Sequence, residues 1–370
     1  MSKKNLNQKL LLFKEDFDGM LNDFLDQKKN QISHISPTAS TIFYEIKKFA
    51  GNGGKRFRPA LAYYTNFACV FESDKNKQVS ENNIFTICLA LEVFHTYGLI
   101  HDDILDKATI RRNADTVEES YRKNFSKFVK NKTKITDHAL NAAIIAGDFV
   151  HFLADELMSS LDLDLDLKQQ IMNIYYQMQI EVHAGQAEDS FGLGIKSLED
   201  IQEKDIFQMI DYKSGRYSIQ KPILLAATLA GLEEEKINIL KQIGLDLGLV
   251  FQIKDDILGI FGDAKTIGKS TLSDLQEGKK TIVLLRTYNS SQPSDKQRIQ
   301  QMIDTGKVED KDLQWFRKLA KKNKVLVELE TFCDELIKKS QNSLMQVFSK
   351  QNPGAEFLVD LAGYLLERKY

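Results

Sequence analysis

The feature that most restricts how this chain can fold is an apolar segment that runs into acid, and it occurs twice. Residues 90–112 read ALEVFHTYGLIHDDILDKATIRR. On a helix of 3.6 residues per turn, His95, Leu99, Asp102, Asp103 and Asp106 fall at i, i+4, i+7, i+8 and i+11 and share one face. The second copy, GLVFQIKDDILGIFGD, sets Asp255 and Asp256 after another apolar run and ahead of the same Ile-Leu pair. Adjacent ionised carboxylates repel each other and are costly to bury, and acid at a helix C-terminus opposes the macrodipole. One such end reads equally well as an acidic turn of a surface helix. Two of them suggest two walls of one cleft that holds divalent cations, and all-oxygen ligands favour Mg2+ or Mn2+.

Elsewhere apolar residues recur at three and four residue spacing, alternating runs are scarce, and five prolines sit near the expected element ends. The fold class is therefore all-α. A chain of 370 residues could hold two domains, but no linker divides it, so one domain over 1–370 is expected, its motifs within 51–282. A net charge of -2 offers no general attraction to nucleic acid. Three scattered cysteines, without metal-ligand spacing, read as thiols of a reducing compartment. The first twenty residues carry a short apolar patch broken by Lys14 and Glu15, unlike a secretory signal. No uncharged apolar run approaches the ~18 residues of a spanning helix. A cytoplasmic location follows as the expectation.

Taken in order, Leu10, Phe13, Phe17, Leu21 and Phe24 stripe a first helix, and a second runs through Phe43, Ile46 and Phe49. The segment GNGGKRFRP (51–59) supplies Lys55, Arg56 and Arg58 beside Pro59 at a helix start, a combination suited to anions. Taken alone it is also a solvated basic turn. Arg111 and Arg112 reach the first acidic end if the chain turns back, and arginine suits bidentate phosphate recognition. Asp148, after Gly147 in an apolar helix, reads as a satisfied structural carboxylate. Gln186 and Asp189 follow, then Lys213-Ser214-Gly215, which is expected to break a helix so that carbonyls and one ammonium face the cleft. Lys269, Asp274, Glu277, Lys279 and Lys280 form a charged loop able to close over phosphates. The lysines 127, 130, 132 and 134 read as a solvated loop, and the chain after 280 as packing helices.

The ordered set GGKRFRP, Glu92 with His95, DDILD followed by two arginines, Gln186 with Asp189, Lys213-Ser214, FQIKDD and EGKK resembles the trans-isoprenyl diphosphate synthases (polyprenyl synthetases). The likeness is greatest to geranylgeranyl diphosphate synthase-like members. The resemblance spans residues 53 to 280. It implies the isoprenoid synthase fold, helices around a deep cavity, in a homodimer. It implies that Asp102, Asp106 and Asp255, helped by Asp103 and Asp256, bind three Mg2+ ions against an allylic diphosphate. Arg111, Lys213, Ser214, Gln252, Lys269 and Lys279 match the allylic-substrate contacts. Lys55, Arg58, His95 and Arg112 match the pocket for isopentenyl diphosphate, and Asp102, Asp106, Arg111, Lys213 and Asp255 carry the catalysis.

The chain departs from the common pattern where Gly259 replaces a third aspartate, with Asp263 four residues later, and where Ser214 replaces threonine. Product length in this family is limited just before the first motif. Gly98, ~40° from the Asp102 face, adds no wall, Tyr97, ~140° off, narrows the tunnel from the side, and Phe94 and Leu91 lie deeper. The expected product is geranylgeranyl diphosphate (C20), with farnesyl or longer products as the alternative. A terpene cyclase would lack the Lys55, Arg58, His95 and Arg112 set, and a non-catalytic subunit would be expected to lose acidic-motif residues.

Overall fold

The computed structural model describes residues 3–72, 81–262 and 271–367. The chain divides into two compact units, one from Ser2–Tyr63 and Ser80–Asp164, the other from Tyr64–Val79 and Leu165–Tyr370. Both are helical, in line with the all-α expectation.

The first unit opens with α1 (Lys3–Ser33), which buries Leu6, Leu10, Phe13, Phe17, Leu21 and Leu25 along one stripe. The stripe ends on Leu25; Phe24 turns aside and lies under the Lys28 ammonium, 5.7 Å from its ring centre. α2 (Pro37–Gly51) starts where the Ser36 side chain accepts from the Ala39 amide and Pro37 takes the first turn. It packs on α1. α3 (Phe57–Glu72) begins after the glycine-rich loop. α4 (Glu81–Leu105) is the central helix, and Ala90 through Thr96 are all buried. By length and apolar content alone α4 would suffice to cross a membrane, although Glu92 interrupts it and 61% of its apolar window is buried. Its apolar surface is used instead inside the unit, packed along α6 (Lys132–Ser159) through Ala139, Ala143, Ala146 and Val150. The two helices approach closely enough that a Cβ on Gly147 would collide with the His101 ring.

Past α4 the chain reverses in a short hairpin, β1 (Ile110–Arg111) against β2 (Ala114–Asp115), with Ile110 opposite Asp115. The turn residues Arg112 and Asn113 have φ of 52° and 60°, a left-handed pair whose twist suits a two-residue hairpin. α5 (Val117–Phe125) follows, capped by Thr116 and packed on α6. The basic connection is shorter than expected, since Asn131 caps α6.

In the second unit, α7 (Leu165–Ala187) runs directly into a π-helical stretch, Glu188–Leu193. α8 (Glu203–Ile210) leads into a longer one, Asp211–Gln220, which continues as α9 (Lys221–Leu229). Lys213-Ser214-Gly215 therefore widens a helix and does not break it, which corrects the sequence expectation. A wide turn accommodates an extra residue without losing the backbone ladder, a feature frequent at functional sites. α10 (Glu234–Phe261) packs on this second stretch at glycines: a Cβ on Gly248 would lie 2.7 Å from the Gly215 carbonyl oxygen. Among the described residues the further α-helices are α11 (Ser273–Gln276), α12 (Ile282–Asn289), α13 (Pro293–Thr305), α14 (Asp310–Lys322), α15 (Val325–Val347) and α16 (Pro353–Leu366). α10 lies against α15 and α16, and the later part of α3 stacks Tyr64 on Phe357 at 3.9 Å.

Candidate active site

In the first unit the hairpin carries Arg111 back to the end of α4. Its Nε lies 2.6 Å from Asp103 Oδ1 and its Nη2 3.1 Å from Asp102 Oδ2. The second oxygen of Asp103 is buried without a hydrogen-bond partner. Burial pushes the Asp103 carboxyl up to about 6, although Arg111 pulls the other way. Asp106 adds its charge a turn later and raises Asp103 further.

The glycine-rich loop supplies the cations unequally. Arg56, 2% exposed and at φ 49°, binds Glu92 at 2.5 Å, Asp18 at 2.6 Å and the Ala50 carbonyl at 2.8 Å. It ties the loop to α1 and α4 and is committed there, so the sequence expectation of Arg56 as a cation open to anions is corrected. Lys55 and Arg58, on either side, are exposed and half-buried. Arg112 comes to the same loop: a Cβ on Gly54, itself at φ 91°, would lie 3.0 Å from its Nη1. His95 is buried, and burial first, then Arg58, Arg112, Arg111 and Arg56, hold its imidazole well below the ordinary range. Burial and the neighbouring cations also lower Arg112. Like charges gathered in this way favour an anion among them.

Tyr97 lies in a ring cluster with His101 at 4.7 Å, His151 at 4.9 Å and Phe94 at 5.4 Å. A side chain on Gly98 would meet nothing within 4 Å, as the sequence expectation of an open position requires. His151 comes from α6 and was missed, because nothing in its own stretch ties it to Tyr97.

In the second unit Gln252 donates to Asp256 Oδ1 at 3.0 Å, while Asp256 Oδ2 is buried without a partner. Burial, with Asp274 and Asp255 adding their charges, pushes this carboxyl up to about 7. Lys213 Nζ sits 2.6 Å from Asp189 Oδ2, so the two π-helical stretches meet at this pair. A Cβ on Gly185 would collide with the Lys213 backbone, and Gln186 donates to Ser190. Ser214 is half-buried beside Lys213. A quartet missed in the sequence, with Glu181 and Lys221 buried and Arg216 and Asp211 half-buried, holds the second stretch. Glu181 of α7 takes Arg216 at 2.8 Å and Lys221 at 2.9 Å, and Arg216 reaches Asp211 at 2.7 Å. Lys279 pairs with Glu277 at 2.9 Å. Lys280 instead points inward; burial lowers it, with Asp304 opposing. Lys269 and Asp263 lie outside the described residues.

The acidic ends suit hard cations on two grounds: every donor is a carboxylate oxygen, and each end keeps one buried oxygen without a partner. Among the described residues no three such groups already converge on one point.

Comparison with known proteins places the chain. A model of the polyprenyl synthetase family matches residues 40–320. A geranylgeranyl diphosphate synthase of Sulfolobus acidocaldarius is 28% identical over 95% of this chain and 99% of its own length. A short chain isoprenyl diphosphate synthase of Methanocaldococcus jannaschii is 29% identical over 86% of each. The crystal structure of a Corynebacterium glutamicum geranylgeranyl pyrophosphate synthase, complexed with isoprenyl diphosphate and magnesium, superposes with a TM-score of 0.86. That match has 25% identity, covering 96% of this chain and 99% of the other. Other curated relatives are named for geranylfarnesyl and octaprenyl products. The chain belongs to the polyprenyl synthetase family and is a prenyltransferase of the all-α isoprenoid synthase fold.

Proposed function

We propose that the protein joins isopentenyl diphosphate head to tail to an allylic diphosphate, releasing diphosphate, with geranylgeranyl diphosphate (C20) as its main product. The observation that carries this reading is that each of two acidic helix ends, in a member of this family, buries a carboxylate oxygen with no protein partner. Asp102, Asp103, Asp106, Asp255 and Asp256 would hold Mg2+, expected as three ions, or Mn2+, which when bound neutralises charge building on the leaving diphosphate.

The chain's own groups do the rest. Arg111, Lys213, Ser214, Gln252 and Lys279 bind the allylic diphosphate and keep its carbon–oxygen bond positioned for cleavage; Lys269 is assigned the same role from the sequence. Lys55, Arg58 and Arg112 hold the diphosphate of isopentenyl diphosphate, and a neutral His95 donates a hydrogen bond there. Cleavage leaves an allylic cation, which the carbonyl dipoles of the widened helix at Lys213 favour. Water must be kept away from that cation, and apolar walls serve this. The alkene then attacks, and the departed diphosphate accepts the proton.

Tyr97, backed by Phe94 and His151, is the wall that limits growth, with Gly98 open beside it. Family membership supports a cytoplasmic homodimer formed of one catalytic domain per chain, testable by light scattering and fractionation.

The test is the chain length of radiolabelled products from purified protein, Mg2+, isopentenyl diphosphate and each allylic starter from C5 to C15. A dominant C20 product supports the full reading. A shorter or longer product keeps the reaction and removes the role of Tyr97. No elongation with any starter would overturn the proposal in favour of a cyclase or a dependent subunit.

A further inference from the structure

The basic connection between α5 and α6 carries an apolar tip. Phe128 is 85% exposed, yet its backbone is fixed: its amide donates to the Phe125 carbonyl at 3.0 Å, and the Val129 amide donates to the same oxygen at 2.9 Å. Phe125 itself turns inward, half-buried, with its ring 5.5 Å from that of Tyr121. The chain thus packs one phenylalanine and presents the next to solvent from an ordered turn. From 120 to 136 the sequence holds six basic residues and no acidic one, in a chain of net charge -2. Arg122 and Lys123 are engaged, with Glu119 at 3.2 Å and Asp115 at 2.6 Å. Lys127, Lys130, Lys132 and Lys134 are exposed and flank Phe128 along the chain. Lys132 and Lys134 fall in the first turn of α6, which has no acid of its own. Cations at the positive end of a helix are unfavourable, and a negative surface outside the protein offsets that arrangement.

We propose that this tip docks the protein reversibly on an anionic lipid surface, with Phe128 entering the headgroup boundary and the four lysines meeting lipid anions. An exposed apolar residue by itself needs no explanation. An apolar anchor joined to a cluster of lysines supplies the two signals that membrane attachment requires. Because the ordered turn already holds the ring outward, little freedom is lost on docking. Nucleic acid also attracts lysines, but binders of single strands stack successive bases on several aromatics along a groove, and Phe128 is the one aromatic between 126 and 134. The inference goes beyond the prenyl-transfer reading and does not depend on it.

The experiment uses the full chain with extruded vesicles of phosphatidylcholine and phosphatidylserine in equal parts, and of phosphatidylcholine alone, without substrates. Attachment is read by flotation, and melting temperature is measured for every variant. The protein is expected to float with the anionic vesicles, to leave the neutral ones, and to be released at about 0.5 M salt. Lys130→Gln with Lys132→Gln should weaken attachment about 25-fold, at about fivefold per lysine, with the melting temperature unchanged because both side chains are exposed. In Phe128→Trp, attachment is kept and the added tryptophan emission shifts to the blue when anionic vesicles are present. Equal attachment to both kinds of vesicle would overturn the proposal, as would none to either. So would full attachment in the double lysine variant, or an unshifted emission from Phe128→Trp at saturating vesicles. Tighter binding of a single-stranded oligonucleotide than of anionic vesicles would overturn it in favour of a nucleic acid. Each of these failures leaves the prenyl-transfer reading standing, since that reading is tested by product formation in solution.

Discussion

Arg111 and Asp103 form a fork: the Nε of Arg111 sits 2.6 Å from Asp103 Oδ1, and the same guanidinium reaches Asp102 at 3.1 Å. Arginine here sets the orientation of two carboxylates and leaves one oxygen of Asp103 for other use. Arg111→Lys keeps the charge but loses the fork. The rate of condensation is expected to fall about 100-fold, measured by steady-state kinetics with each substrate varied. A change within about twofold would show that the fork is incidental.

Tyr97 touches Phe94, His101 and His151. Tyr97→Ala opens the wall and should shift the main product to C25 or beyond, read by chromatography of dephosphorylated products. An unchanged product distribution removes Tyr97 as the limit.

The quartet around Glu181 predicts a stability effect. Glu181→Gln leaves Lys221 buried beside a neutral partner, and breaking a buried pair costs about 3–5 kcal/mol. Urea denaturation should show a loss of that order. Hydrogen exchange should rise in residues 211–220, which Glu181 holds at Arg216 and Lys221. A loss below about 1 kcal/mol, the scale of an exposed pair, would mean that water already screens the network.

His95 gives a pH dependence with a definite sign. Burial, then Arg58, Arg112, Arg111 and Arg56, hold its imidazole well below the ordinary 6.5, so the folded protein keeps it neutral. The unfolded chain takes up a proton as pH falls through that ordinary value. His95 therefore leaves stability intact above about 6.5 and erodes it below, by at most about 1.4 kcal/mol per pH unit. His95→Gln should flatten the slope of unfolding free energy between about pH 6.5 and 5. Parallel slopes for the two proteins would contradict a neutral His95.

Much of this protein was legible in its linear order. The three-and-four spacing of apolar residues, the two acidic ends and the cation-rich glycine loop are local properties, set by helix period and side-chain type. They were enough to reach the all-α fold and the family. Tertiary structure decided what depends on how closely distant segments approach. Arg56 looked like one cation of three until Glu92 and Asp18 were found to hold it. Lys213-Ser214-Gly215 looked like a break, but Gly185 and Gly248 let α7 and α10 press on a widened helix that stays continuous. His151 meets Tyr97 only because α4 and α6, far apart in sequence, lie side by side. Periodicity states which face of a helix is buried. The partner that this face meets is set by packing across the chain, where volume and charge must be satisfied together.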